Sequence, residues 1–496
     1  MRNYSTDFSR NEGSWRDLAK RNNKDRGSSK EYSWGARTST FEELPPVEFK
    51  KNFYSEKPHI SKMSEDEVIE FREKHEMKIK GKNVPKPVKS FEDLSFKQEI
   101  LRDFEKKQFS HPTPIQAQGW PMALSGRDMV GIAQTGSGKT ISFVLPALIH
   151  AADQPPLRRN DGPIVLILAP TRELCLQIKE VVDQYTYFFR MKSTAVYGGV
   201  SAIPQRNDLR SGVEVLVATP GRLIDLYKQG CLSLKRVTFL VLDEADRMLD
   251  MGFEPQLKEI IPETNPNRQT LMWSATWPKE VRNLAESYMK DFIQVNIGQE
   301  ELTSNLRIKQ ITKICEERDK NGNLLDVLKS KKGENIYRMI VFCNKKRTCD
   351  DIEYLLQGKG FSAVAIHGDK SQAVRDRVIS DFKSGRKHVL IATDVAARGL
   401  DVKDVKMVIN YDFPSSCEDY IHRIGRTARG DTKEGISLTF FTFTDKNNSK
   451  ELIRILTDAN QEVPRELREM VPRGEVKRFS RYGGRSNYSS SFHKRW

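Results

Sequence analysis

The sequence predicts an α/β protein of two tandem domains, each a parallel sheet with helices on both faces. Strand-sized apolar runs alternate with helical stretches over residues 91 to about 297: Met129 to Ile132, Ile164 to Ala169, Ser193 to Tyr197, Val213 to Ala218, Phe239 to Leu242 and Thr270 to Trp273. That alternation is the mark of parallel strands joined through helices. A second series starts near Gln310 and repeats the pattern through Met339 to Phe342, Ser362 to Ile366, Val389 to Ala392, Lys406 to Ile409 and Gly435 to Phe441. The length of 496 residues accommodates two or three domains of ordinary size.

Charge narrows the partner class. With 82 basic against 67 acidic residues the formal charge is +15, which points toward a polyanion such as nucleic acid. The longest apolar runs are too short to span a bilayer, and Met1 to Ser14 holds no secretory apolar region. Six cysteines (Cys175, Cys231, Cys315, Cys343, Cys349, Cys417) are scattered without zinc-like or disulfide-framework spacing. They read as reduced thiols, and the chain as intracellular.

The expected organisation follows in order. Residues 1–80 read as a largely disordered N-terminal extension, since the first forty are rich in Arg, Asn, Ser and Lys with little to bury. Within it, Lys20 to Arg26 suits a nuclear-import signal, an RNA-contacting arm or a solvated tail, and Ser64 to Met77 has helical character. Gly81 to Pro87 looks like a linker. The first domain is expected over 81–297, the hinge over 298–309 and the second domain over 310–471. The tail, 472–496, has seven basic residues against one acid from Arg473 on, interleaved with glycines and aromatics. Such a mixture suits loose contact with single-stranded nucleic acid or simple solubility.

Two stretches carry chemistry. Ala133, Gln134, Thr135, Gly136, Ser137, Gly138, Lys139 and Thr140 lie between an apolar strand and a helix, where successive N–H groups curl around phosphates and glycines allow close approach. Lys139 brings a point charge to the β- and γ-phosphates, and the Thr140 hydroxyl can ligate Mg²⁺. The general pattern starts with Gly, and Ala133 departs from it. Asp243-Glu244-Ala245-Asp246 follows the strand Phe239 to Leu242. At a strand's carboxyl end Asp243 can hold Mg²⁺, while Glu244 is suited to orient or deprotonate the attacking water. Together the two stretches indicate nucleotide hydrolysis.

From Phe91 to about Asn460 the chain resembles the DEAD-box ATP-dependent RNA helicases, with the family's motifs in the family's order. The resemblance implies two RecA-like domains and ATP and Mg²⁺ as cofactors. Phe109 to Gln116 is similar to the adenine-reading motif, in which Gln116 can pair with the base edge, and Phe91 takes the place of the aromatic that stacks on the base. The family often has Gly where this chain has Gln108. Pro170-Thr171-Arg172-Glu173-Leu174, Gly198-Gly199 and Thr219-Pro220-Gly221-Arg222 are similar to RNA-contacting motifs, implying roles for Pro170, Thr171, Arg172, Gly199 and Arg222. Ser274-Ala275-Thr276 resembles the motif that couples hydrolysis to strand separation, through Ser274 and Thr276. In the second series Asn344, Arg375 and Thr393 match RNA-facing positions. Asp401 belongs to a run that touches both RNA and nucleotide. His422 to Arg429 resembles the last motif, in which Arg426 and Arg429 act as arginine fingers and His422 joins the catalytic set.

Gly119 to Gly126 and Met272 to Glu280 look most like a eukaryotic subgroup linked to rRNA processing, ribosome biogenesis and nonsense-mediated mRNA decay. The expected protein is a monomer of nucleus and cytoplasm with RNA, and possible ribonucleoprotein or pre-ribosome, partners and no membrane. ATP and RNA would jointly close its domains, opening short duplexes locally. An ATP-gated RNA clamp with little unwinding is the alternative.

Overall fold

The computed structural model describes residues 48–134, 136–158, 161–298, 307–330, 338–397, 402, 404–428 and 434–472. The first domain holds β1 (Met77–Lys80), β2 (Met129–Ile132), β3 (Val165–Leu168), β4 (Ser193–Val196), β5 (Val215–Ala218), β6 (Phe239–Leu242), β7 (Gln269–Ser274) and β8 (Ile293–Ile297). They form one sheet in the order β1-β8-β2-β7-β6-β3-β5-β4, parallel except that β1 runs antiparallel to β8. The second domain holds β9 (Ile308–Ile314), β10 (Arg338–Phe342), β11 (Ala363–Ile366), β12 (Val389–Ala392), β13 (Val405–Asn410) and β14 (Gly435–Phe441). Its sheet is all parallel, in the order β11-β12-β10-β13-β14-β9.

Strand periodicity explains the cores. Alternate residues point to opposite faces, so Val165, Ile167, Val215, Val217, Phe239 and Val241 join one cluster. Their neighbours Leu166, Leu168, Leu216, Ala218, Leu240 and Leu242 join another on the far face. The second sheet is divided the same way, with Val341, Ile391 and Ile409 on one side and Ile340, Leu390 and Val408 on the other. Strands covered on both faces read as continuous apolar runs, which is why their positions were visible in the sequence.

One close approach fixes the middle of the first sheet. Gly131 on β2 lies opposite Trp273 on β7, and a Cβ on Gly131 would stand 2.4 Å from the indole ring. Only hydrogen fits there.

Residues 48–80 depart from the expected disordered extension. Phe53 and Tyr54 donate their N–H groups to the Leu124 carbonyl at 2.7 and 3.0 Å. The helix Glu65–Lys74 starts with a reciprocal cap, Glu67 N–H to Ser64 Oγ and Ser64 N–H to Glu67 Oε2. Ile60, Met63 and Val68 bury together, and β1 then covers β8. Without β1, β8 would be an open sheet edge, so the first domain begins well before residue 81. Neither β1 nor β8 was singled out in the sequence. The expected hinge also shortens, because β9 starts at Ile308; residues 299–306 lie outside the described residues, as do 1–47 and the tail from 473.

The topology gathers one edge of the first sheet. The loop after β2, the end of β7, the carboxylates after β6 and Pro170 after β3 all lie at strand carboxyl ends, the edge where open parallel sheets bind ligands.

Candidate active site

The phosphate loop is tied to its neighbours by the main chain. Ala133 N–H donates to the Ser274 carbonyl at 3.2 Å. The Lys139 ammonium, buried, donates to the Ala133 carbonyl at 2.7 Å and reaches the Ser274 carbonyl at 3.4 Å. Lys139 also opens the helix Lys139–Ala152, whose first N–H groups and dipole favour an anion. Gly136 and Gly138 take positive φ, 79° and 93°, whereas Ala133 does not. The departure at Ala133 therefore falls where glycine is not required. At Gly138 the positive φ favours glycine, and a Cβ would lie 2.5 Å from Gln116 Nε2, so the amide would have to shift. Ser137 Oγ is buried without a hydrogen-bond partner among the described residues. Thr140 is half-buried, as is Gln134, and Thr135 lies outside the described residues.

Gln116 braces this loop. Its Oε1 accepts from Thr113 N–H at 3.0 Å and its Nε2 donates to the Gly138 carbonyl at 3.3 Å. One lone pair and one N–H of the amide remain for a base edge.

Phe91 requires a correction. Its ring is buried against Phe104 and Trp120, with centroids 4.7 and 6.0 Å apart. It is a core residue and has no free face to stack on a base. The exposed aromatic of the stretch that carries Gln116 is Phe109, 43% exposed, which opens the motif but has no role in the sequence reading. Gln108 before it has φ 59°. The turn thus takes the left-handed conformation that suits the family's glycine, here imposed on a glutamine.

The carboxylates face inward. Asp243 is buried and its N–H donates to the Leu168 carbonyl at 3.0 Å. Burial, reinforced by Glu244, pushes its carboxyl up to about 7, against the pull of Lys139. Glu244 is held at φ 52°, a strained backbone of the kind that clusters at functional sites. Asp246 accepts from Ala275 N–H at 3.2 Å, Thr276 N–H at 3.0 Å and the Thr276 hydroxyl at 2.8 Å. Across the domain seam His422 Nε2 lies 3.7 Å from it. Burial pushes both groups toward neutrality. Burial and Arg247 lower the pKa of His422, while His422, Arg247 and the Thr276 hydroxyl outweigh burial at Asp246 and hold its carboxyl well below the usual carboxylate range. Ser274 differs from Thr276: its hydroxyl is buried without a partner among the described residues, and only its carbonyl touches the loop.

The second domain contributes a guanidinium hub. Arg423, fully buried, donates to Asp394 twice at 2.6 Å, to the Asp412 carbonyl at 2.6 Å and to Asn344 Oδ1 at 2.7 Å. Asn344 in turn donates to the Phe413 carbonyl at 2.7 Å. Its amide is engaged inside the domain, with both the carbonyl and the amino group bound to residues of the second domain. Arg423 lies within the run His422 to Arg429 but carries no role in the sequence reading. Arg426 lines a small cavity with Arg247, His422 and Arg423. Arg247 and Asp419 pair across the seam. Arg429 and Asp401 lie outside the described residues.

The positions expected from the resemblance to face RNA are largely braced by protein groups. Thr171 caps its helix by accepting from Leu174 N–H at 3.2 Å. Arg222 donates to the Val200 carbonyl at 2.9 Å and to Gln205 at 3.3 Å, holding the loop of Gly198 and Gly199. Pro170 immediately precedes the Thr171 cap, and Thr393 is buried just before the helix Asp394–Ala397. Arg172 and Arg375 each pair with a carboxylate of the opposite domain.

Comparison with known proteins agrees with this geometry. The DEAD/DEAH box helicase family model matches residues 113–284, and the helicase conserved C-terminal domain matches residues 319–431. The chain is 64% identical over 444 residues to the ATP-dependent RNA helicase DBP2 of Encephalitozoon cuniculi, covering 90% of this chain and 88% of that one. It is 52% identical over 430 residues to the probable ATP-dependent RNA helicase DDX17 of Mus musculus, covering 86% and 66%. Among solved structures, S. cerevisiae Dbp5 bound to RNA and ADP BeF3 aligns with a TM-score of 0.65 at 29% identity, over 77% of this chain and all of that one.

Proposed function

Because the chain belongs to the DEAD-box family of ATP-dependent RNA helicases, we propose that its two RecA-like domains close over ATP and RNA together and open short duplexes locally. The observation that carries this reading is the seam itself, where Asp246 gathers Thr276 of the first domain and faces His422 of the second. A shift of the second domain is thereby felt two residues from Glu244.

Each side chain has a task in that reading. Lys139 places positive charge beside the β- and γ-phosphates, and the N–H groups of the loop cradle the rest. Glu244 orients and deprotonates the attacking water. Arg426 and Arg429 stabilise the charge developing on the γ-phosphoryl group, while Phe109 and Gln116 receive the adenine. Thr140 and Asp243 would hold Mg²⁺. The donor set fits, because a hydroxyl and a carboxylate are the oxygen ligands a hard cation takes, and Asp243 lies buried at the carboxyl end of β6, on the same sheet edge as the loop. Among the described residues no three-ligand metal cluster occurs, and Mg²⁺ commonly takes only one or two carboxylates plus phosphates. When bound, that ion neutralises charge between the phosphates.

RNA is gripped through its backbone, so binding is independent of sequence and salt-sensitive. The RNAs served are those of ribosome biogenesis, rRNA processing and mRNA decay, met as a monomer in nucleus and cytoplasm within ribonucleoprotein or pre-ribosome particles. Gly119 to Gly126 and Met272 to Glu280 support that assignment by their likeness to the subgroup. Lys139→Ala and Glu244→Gln abolish RNA-stimulated ATP turnover and strand displacement on a short RNA duplex. Turnover that ignores RNA, or survives either substitution, would sink the mechanism. Crosslinking in cells followed by sequencing of bound RNA tests the pathway.

A further inference from the structure

The helix Arg172–Phe189 of the first domain meets the helix Gln372–Lys383 of the second through two ion pairs with the charges exchanged. Arg172 Nη2 donates to both oxygens of Asp376, at 3.0 and 3.2 Å. Arg375 Nη2 donates to Glu173 Oε1 at 2.8 Å. Gln372 stitches the pairs, donating to Asp376 Oδ1 at 2.9 Å and accepting from Arg375 Nη1 at 3.2 Å. The two pairs differ in their surroundings. The Glu173 and Arg375 side chains are 10% and 18% exposed, whereas Asp376 is 52% exposed.

Both guanidiniums are incompletely satisfied. Arg172 Nη1 and Arg375 Nε are buried without an acceptor among the described residues, a costly state for a charged donor. Arg172 is also fixed in place, with its guanidinium 4.9 Å from the Tyr197 ring centroid. A pre-set cation with a buried spare N–H, facing a half-exposed carboxylate, is arranged to change partners. An RNA phosphodiester presents two anionic oxygens, as Asp376 does, and suits the same guanidinium fork.

We propose that Asp376 is a placeholder anion that competes with an RNA phosphate for Arg172 and thereby sets how tightly RNA is held. The proposal rests on the reading of Arg172 as an RNA contact. Asp376 acts through Arg172 and is a positioning residue. The Glu173–Arg375 pair, shielded from water, stays closed while the exchange takes place.

The test uses the full chain, a fluorescein-labelled single-stranded oligouridine ten nucleotides long and a non-hydrolysable ATP analogue, with affinity read by anisotropy. Asp376→Asn is expected to tighten binding by about threefold to fivefold, the scale of an exposed ion pair, and to lower the RNA concentration for half-maximal ATP turnover by the same factor. In an Arg172→Ala background the same substitution is expected to change nothing. Asp381→Asn on the same helix controls for the general loss of negative charge and is expected to leave affinity nearly unchanged. Unchanged or weaker binding by Asp376→Asn would overturn the proposal, as would an equal gain in the Arg172→Ala background or from Asp381→Asn. If Arg172→Ala alone leaves RNA affinity intact, the reading beneath the proposal falls with it. If Arg172→Ala weakens binding but Asp376→Asn gains nothing, only the placeholder falls.

Discussion

Arg247 and Asp419 form an ion pair across the domain seam, with side chains only 3% and 11% exposed. Arg247 follows Asp246 directly, so the pair ties the second domain to the element that carries the carboxylates. Removing one partner of a buried pair leaves an uncompensated charge costing about 3 kcal/mol or more, here whenever the domains close. Arg247→Leu, which takes this guanidinium away from Asp419 and leaves its carboxylate with Ser415 Oγ at 3.2 Å, is expected to lower RNA-stimulated ATP turnover about a hundredfold. Asp419→Asn costs less, because Arg247 keeps Asp250 at 3.6 Å. Thermal unfolding of the two variants separates the seam from the fold: the defect belongs in turnover, and a matching collapse of the midpoint would refute the assignment.

The Gly131–Trp273 contact makes a second prediction. Gly131→Ala forces a methyl group into the indole, which also packs on Phe143 with centroids 5.9 Å apart. Overpacking of this kind costs about 1–3 kcal/mol. Trp273→Phe in the same chain relieves part of it, so the double variant is expected to be more stable than the sum of the single losses. Denaturant titration of all four proteins measures the coupling, and simple additivity would show that the ring can move aside.

Gln108 bears a left-handed backbone that a side chain disfavours by about 1–2 kcal/mol. Glycine removes that strain but adds chain entropy of about 0.5–1 kcal/mol. Gln108→Gly is therefore expected to stabilise the first domain by about 0.5–1 kcal/mol. A fall in the unfolding midpoint would mean that the Gln108 side chain makes a contact worth more than the strain.

What the sequence disclosed follows from these local facts. Strands buried on both faces left continuous apolar runs, and the phosphate loop kept its glycines where φ must be positive, at Gly136 and Gly138. The edge strand β1, Met77-Lys78-Ile79-Lys80, alternates apolar and basic residues over only four positions, too short a signal to separate from the end of the preceding helix. Phe91 and Phe109 sit in similar polar surroundings in the sequence, and only tertiary packing decides which ring is buried. The Phe413 and Arg423 partners of Asn344 and the Glu173 partner of Arg375 come from segments far away in the chain, so no spacing rule could announce them.

His150 yields a pH dependence that involves the N-terminal segment. Its ring is packed edge-on by Phe49 and Phe53, at 5.6 and 6.0 Å, and lies 5.2 Å from Phe239. Its Nε2 bonds Thr238 Oγ1 at 2.9 Å and Gln154 Nε2 at 2.8 Å. Burial, with Lys51 and Arg236 nearby, lowers its pKa to about 3. The unfolded chain titrates at about 6.5. Above that value both states are neutral and stability is full. As pH falls below it the unfolded state takes up a proton that the folded state refuses, so stability declines progressively toward pH 3. At pH 5 the loss is about 2 kcal/mol relative to pH 7. Urea titrations followed by the fluorescence of the buried Trp120 and Trp273 measure it. His150→Leu forfeits its hydrogen bonds at every pH but is expected to remove that share of the slope between pH 7 and 5. Deleting residues 1–54 uncovers the ring and is expected to shrink the slope in the same way. An undiminished slope in both proteins would place the titrating group elsewhere, and with it the claim that residues 48–54 form part of the first domain's core.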